Sequence, residues 1–445
     1  MQQKTTSFEQ IGIAQQIFRW IFLVLPVAFI TGSLVAFFLW LLDEATALRH
    51  ANTWLLFFLP FAGMGIYFLY QYAGPKLAAG NNLIIEAIHE PVQQIPLRMT
   101  PLVLFTTIIT HLFGGSAGRE GTAVQMGGSI AAFIGKWIKL TKDDTPIILL
   151  AGIAAGFGAV FGTPVTGAIF ALEVIAIGKI NYKALLPCLI ASIVADITCS
   201  AYGIKHTAYH IRFQSAVNQL SFLRFDFILL AKVALAGVVF GFAAYIFTEL
   251  LHSIKHYSNK LIPTKWLIPV VGGCTIIALT YILGTTDYLG LGVNGSNHQS
   301  ITITSSFTAG GATNFSWLWK LLFTTLTVGM GFKGGEVTPL FFIGATLGNT
   351  IAVLLGAPID LMAGLGFIAV FAAATNTPIA CTFMGIELFG GEYVVYYAIA
   401  CFLAYYFSGH TSIYTAQRLG SSKNSSYENV TTETTIQIRE KRIKK

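Results

Sequence analysis

Gly118-Arg119-Glu120-Gly121-Thr122 places a carboxylate inside a sequence of membrane-grade hydrophobicity. A charged residue such as Asp at the centre of a spanning helix costs roughly 2.5–3.5 kcal/mol on translocon scales, so an intramembrane glutamate reads as functional by default. The pattern also recurs. Gly334-Gly335-Glu336-Val337-Thr338 repeats Gly-x-Glu-x-Thr 216 residues further on. Two glutamates, each among small residues and each at a matching place, suggest an ion site.

The elements that must hold these glutamates are themselves duplicated. Ala155 to Val165 and Ala369 to Ile379 are both small-residue stretches that close on Thr-Pro-aliphatic, and nine residues past each proline stands a glutamate, Glu173 or Glu387. Internal repeats of this kind define the fold. The expected halves run from 18 to 215 and from 225 to 420. Duplicated membrane halves build transporters whose site lies near the midplane between broken helices. Thr163-Pro164 and Thr377-Pro378 have the chemistry of helix starts, with threonine as cap and proline at the first position. A helix N-terminus is a natural anion site; these residues fit equally well two proline-started helices with no ligand. The equivalent places of Glu173 and Glu387 point to a shared structural role.

Composition sets the class. Apolar residues make up 54% of the chain and charged residues 11%, against about 25% charged in a soluble domain. Apolar runs recur at 17–42, 54–70, 147–177, 227–251, 266–283 and 361–389, and ~20 such residues cross a bilayer core. The expectation is an all-α polytopic membrane protein; the alternating pattern of a barrel is missing. The 44 glycines bunch around the buried Glu and Thr residues, which favours close helix packing and broken helices. A net charge of +7 with a basic end, 439–445, points to a cytoplasmic terminus. No basic domain outside the membrane offers itself to nucleic acid. Residues 1–17 read as a cytoplasmic or interfacial segment without a signal-peptide pattern, and 421–445 as a disordered basic cytoplasmic tail. The five cysteines sit in apolar runs without metal or disulfide spacing, and no cofactor is expected.

With these residues in view, the chain resembles the CLC family of chloride channels and proton-coupled antiporters. Gly118-Arg119-Glu120-Gly121 is similar to the family's GREGP signature. Gly335-Glu336-Val337-Thr338-Pro339 stands where the family has GxFxP, and Tyr414 where it has its pore tyrosine. The resemblance implies an inverted repeat of tilted and broken helices, a homodimer with one pore per subunit, and a multi-pass plasma (inner) membrane location with both termini cytoplasmic.

The departures from that pattern carry information. Thr122 replaces the usual proline, Gly80-Asn81-Asn82 replaces the serine filter, and Glu336 replaces an apolar residue. Val174 stands where proton-coupled chloride exchangers carry their internal glutamate. These features look like the fluoride-exporting branch. The resemblance implies fluoride/proton antiport and fluoride resistance, with chloride/proton antiport or passive chloride conduction as the alternative. Fluoride is small and strongly hydrated, so donors must replace its lost water. Thr338 and Tyr414 offer hydroxyls, and Asn81 or Asn82 an amide. The anion-binding set is Asn81, Asn82, Gly118, Arg119, Gly121, Val337, Thr338 and Tyr414.

Glu120 is assigned as gate and proton carrier; ionised it competes with the anion, and protonated it is neutral and free to move. Glu336 is assigned to proton transfer or to anchoring the filter, with Lys333 as a nearby partner. A remote reading is an intramembrane serine hydrolase, because Gly114-Gly115-Ser116-Ala117-Gly118 matches a nucleophile elbow. No strand–turn–helix pattern surrounds Ser116, and it is Glu120, not Ser116, that is duplicated.

Overall fold

In the computed structural model, the described residues are 9–90, 95–214, 226–293, 295, 297, 299–424 and 433–444. The first set of helices is α1 (Glu9–Ala51), α2 (Leu59–Ala73), α3 (Asn81–His89), α4 (Met99–Leu112), α5 (Glu120–Trp137), α6 (Thr145–Phe161), α7 (Pro164–Glu173) and α8 (Leu185–Ala201). The second set is α9 (Phe227–Leu261), α10 (Leu267–Leu283), α11 (Ser316–Gly329), α12 (Val337–Leu355), α13 (Ile359–Thr375), α14 (Pro378–Phe389) and α15 (Val394–Phe407), followed by α16 (Thr435–Lys444). Apart from α3, the two sets correspond in order and closely in length: α4 and α11 both have 14 residues, α6 and α13 both 17. Two short strands, β1 (Ala176–Ile177) and β2 (Arg418–Leu419), pair in parallel.

Among the described residues, five helical stretches are long and apolar enough to cross a membrane. They are used differently. α1 turns one face inward and leaves Phe22, Phe29 and Trp40 exposed, as a helix bordering lipid must. α12, α6 and α13 are buried on nearly every side, which is how a helix apolar all round is accommodated.

The apolar runs 147–177 and 361–389 are each broken into two helices. The first breaks at Gly162 (φ 71°) and the second at Asn376 (φ 59°), both left-handed C-caps. A proline opens each following helix, since its fixed φ suits the first turn and its missing N–H is not needed there. The resulting α7 and α14, of 10 and 12 residues, reach only partway across a bilayer at 1.5 Å per residue. Small residues set the spacing. A methyl group on Gly127 would lie 2.0 Å from the Gly152 carbonyl oxygen, and one on Gly344 2.0 Å from that of Gly366. α5 therefore touches α6, and α12 touches α13, backbone to backbone.

The ends differ from expectation. Residues 9–17 are not a separate segment but the first turns of α1. The expected disordered tail, 421–445, is overturned at Thr435–Lys444, which forms α16; 425–432 lie outside the described residues. Its Arg439 binds Glu249 on α9 at 3.0 Å, and the Thr435 hydroxyl donates to the Tyr414 carbonyl at 3.0 Å. A basic helix seated on an acidic side chain is ordered by contacts that local composition does not announce.

Candidate anion and proton site

The centre of the molecule is where α5 and α12 begin. Before each helix the chain is extended, and the two approaches pair: Gly118 N–H donates to Gly335 O at 2.5 Å and Gly335 N–H to Gly118 O at 2.7 Å. Gly334, at φ 152°, closes on Ala117 so tightly that an added methyl would lie 2.5 Å from the Ala117 side chain. Glycine is required there by both conformation and space.

This pairing aims the Glu120 side chain across the interface at the start of α12. Its carboxylate is 1% exposed. Oε2 accepts from the Arg119 N–H at 3.1 Å and from the Thr338 N–H at 3.0 Å. Oε1 accepts from the Thr338 hydroxyl, and Arg119 Nε stands 3.7 Å away. The carboxylate is thus bound as a small anion would be, by two backbone N–H groups, a hydroxyl and a guanidinium at a helix N-terminus. Protonation would remove the charge that holds it there. Thr122, one residue past Gly121, is buried and its hydroxyl meets Thr107 on α4 at 2.7 Å.

Beside this point a cavity of about 560 Å³ opens towards one face. Asn81, Asn82, Glu336 and Tyr414 all line it, and Lys255, Lys265 and Lys333 make its walls basic. Asn81 turns its amide nitrogen towards Gly121, 3.0 Å from where a methyl would stand, and its carbonyl oxygen is buried without a partner. Asn82 acts differently. Its side-chain oxygen accepts from the Ala416 N–H at 3.0 Å, tying the Tyr414 segment to α3. Gln125 also lines the cavity, one turn beyond Gly121 on α5. Its only signal in the sequence is a polar side chain amid the small and apolar residues of 123–128. A second, much smaller cavity of about 20 Å³ touches Glu120 itself, with Arg119, Thr338, His206 and Tyr209.

The structure revises the alignment of the two glutamates. Gly118 pairs with Gly335, α4 and α11 begin at 99 and 316, and α5 and α12 begin at 120 and 337. All give an offset of 217, not 216. Glu336 is therefore the counterpart of Arg119, and Glu120 the counterpart of Val337. The one-residue error came from matching residue types across the repeat, where backbone pairing decides the register. Inversion of the repeat then explains the two sides: Arg119 lines the small cavity and Glu336 the large one. Lys333 is not ion-paired to Glu336; its ammonium donates to Ala78 O at 3.3 Å and lies 4.3 Å from the Tyr70 ring.

Glu173 and Glu387 form a reciprocal clasp. Glu173 accepts from the N–H groups of Ile379 and Ala380 at 3.1 and 2.8 Å, and Glu387 from those of Val165 and Thr166 at 2.9 and 2.8 Å. Each half caps the short helix of the other. The N-termini after Thr163 and Thr377 thus hold the protein's own carboxylates. Neither threonine caps through its side chain; the Thr377 hydroxyl bonds Thr375 at 2.6 Å. Ser116, the hydrolase candidate, is buried and its hydroxyl meets that of Thr324 at 2.9 Å.

Two membrane halves whose helices α5 and α12 begin face to face on a bound carboxylate have the chemistry of an anion site. The model of the voltage gated chloride channel family matches residues 62–409. A chloride/fluoride channel protein of Pseudomonas syringae pv. tomato is 45% identical over 422 residues, covering 94% of this chain and 90% of that one. The H(+)/Cl(-) exchange transporter of Vibrio cholerae is 25% identical over 353 residues, covering 76% and 72%. The crystal structure of a CLC-type fluoride/proton antiporter superposes with a TM-score of 0.83 at 36% identity, over 93% of this chain and 99% of that one. The chain belongs to the CLC family of anion and proton transporters.

Proposed function

We propose that the protein exports fluoride in exchange for protons and so confers fluoride resistance. The observation that carries this reading is the Glu120 carboxylate bound by Thr338 N–H and hydroxyl and Arg119 N–H. A titratable anion seated among anion donors must leave before a transported anion enters, and it leaves most readily when protonated. One residue thereby couples the two flows. The donors are hydroxyl, amide and backbone N–H groups. They suit a small anion of high charge density, whose dehydration is costly unless strong donors replace its water.

In this reading Glu120 is the gate, Thr338, Val337, Gly118, Arg119, Gly121, Asn81 and Tyr414 surround the anion path, and Asn82 fixes Tyr414. Glu336, facing the large cavity, serves as a proton stop on that side, where Val174 leaves no carboxylate. The basic cavity mouth draws anions in. The lysines around it and in α16 favour placing that face in the cytoplasm, with the protein a homodimer in the plasma membrane. The test is efflux from loaded proteoliposomes, read with fluoride and chloride electrodes and a pH electrode. Fluoride should leave faster than chloride and drive protons the other way. Chloride efflux as fast as fluoride would overturn the selectivity, and fluoride efflux without proton movement would overturn the coupling.

A further inference from the structure

His206 occupies a place that neither gate nor anion path explains. It follows α8 in the irregular connection 202–214, and its ring is packed against the helix break at Gly162, where an added methyl would lie 2.5 Å from the imidazole. Its side chain is 19% exposed, yet its Nε2 is buried and has no hydrogen-bond partner. Asp196 on α8 stands 3.9 Å from that same nitrogen and is 22% exposed. The ring also lines the small cavity that holds the Glu120 side chain. One residue therefore meets the solution, a carboxylate and the gate's own chamber.

A cavity of about 20 Å³ has room for about one water molecule. Polar partners for that water are at hand in Thr207, Thr338 and the Glu120 carboxylate, all on the cavity wall. Arg119 and Tyr209 also line it, and the remainder of the wall is apolar, with Phe161, Phe341 and Phe367 among it; so small a space gives bulk water no wide path to Glu120 from this side.

We propose that His206, oriented by Asp196, relays protons between the solution on the small-cavity side and Glu120; this rests on the fluoride/proton exchange reading above. The part-exposed ring takes a proton from the solution side, and the imidazolium is stabilised by the Asp196 carboxylate 3.9 Å from its Nε2. It passes the proton through the cavity water to Glu120. The ring returns to neutral, Glu120 becomes a carboxylic acid, and its hold on Thr338 and Arg119 weakens. Nothing is oxidised or reduced, and each proton taken up is delivered. The charged groups facing the ring are Asp196 from α8, Arg119 from the turn before α5, and Glu120. Glu387 lies nearby on α14 but is engaged with α7. Burial, and after it the positive Arg119, discourages the ring from keeping its proton, which suits a relay more than a store.

The test is the pH profile of fluoride-driven proton flux in proteoliposomes, with protein-free leak subtracted, for the parent, His206→Gln and Asp196→Asn. Positioned proton transfer is worth about 10² or more in favourable sites. His206→Gln should therefore slow both fluxes about tenfold or more near neutral pH. The deficit should close in acid, where hydronium reaches Glu120 unaided, and the fluoride-to-proton ratio should hold. Asp196→Asn should give a smaller deficit of the same shape. A His206→Gln profile parallel to the parent's, lowered or not, would overturn the relay, because a structural defect slows transport equally at every pH. If Gln is not tolerated for folding, the Asp196→Asn profile alone decides by the same criterion. A parent that moves fluoride without protons would sink the exchange reading itself, a result distinct from either profile.

Discussion

Two pairs of glutamates lie where the halves meet, and they treat charge in opposite ways. Glu173 and Glu387 are equivalent by the repeat and behave alike, each filling the N-terminus of a short helix in the other half. Glu120 and Glu336 looked equivalent in sequence and are not. Glu120 crosses to the start of α12, while Glu336 borders the large cavity. The symmetric carboxylates tie the halves together in two equivalent places; the other two sit in unlike surroundings, and the proposed function needs them to exchange partners. A duplicated fold makes its structural contacts twice and its site once.

The sharpest way to break this comparison is at Glu120. Glu120→Gln cannot titrate, so proton movement in a fluoride gradient should fall to the protein-free baseline. A Glu120→Gln protein that still pumps protons would place the gate elsewhere. Next in size is the clasp. Glu387→Ala leaves two N–H groups and the Thr166 hydroxyl unpaired in a part-buried place, a loss of about 1–3 kcal/mol for donors left without their acceptor. It should appear as a large fall in thermal stability in detergent, with the fluoride-to-proton ratio unchanged in whatever folds. A changed ratio would mean that the clasp also carries ions.

Glu336→Ala should impair coupled transport more than Glu173→Ala does in the protein that remains folded, and should cost less stability. Parental flux and ratio in Glu336→Ala would make Glu336 structural and return the proton path to water or Glu120 alone. Thr338→Val keeps shape and removes a hydroxyl, which should weaken fluoride relative to chloride by about 1–2 kcal/mol, tenfold or so; an unchanged ratio of electrode responses would deny Thr338 a part in selectivity. The smallest effect belongs to Asn82→Ala. It frees the Ala416 N–H and should lower turnover a few-fold, on the order of 1 kcal/mol, without altering selectivity. A selectivity change there would make Asn82 a direct ligand.

Much of this was legible in the sequence because it rests on residue chemistry that burial makes costly. Glu120, Thr338, Asn81 and the two Thr-Pro breaks announce themselves as polar or helix-breaking groups in an apolar chain. Register did not, because Gly-x-Glu-x-Thr matches by side chain while Gly118 and Gly335 pair by backbone. Gln125 and His206 were invisible for a different reason. Each is an ordinary polar residue until α5 or the connection after α8 carries it to a cavity. The order in α16 likewise comes from Glu249, 190 residues away from Arg439.

The double hydrogen bond between Gly118 and Gly335 has a bearing on how the protein can move. Many duplicated transporters rock one half against the other to open to alternate sides. Here such a rotation would have to part Gly118 from Gly335 at the hinge and pull both swapped carboxylates from their helices in a single stroke. That would cost several buried polar interactions at once. The halves are stitched at the very point where a rocking machine must open. In the proposed function the part that moves at the centre is a side chain. On that reading, access to either face follows where one carboxylate rests, on the scale of a rotamer rather than of a domain.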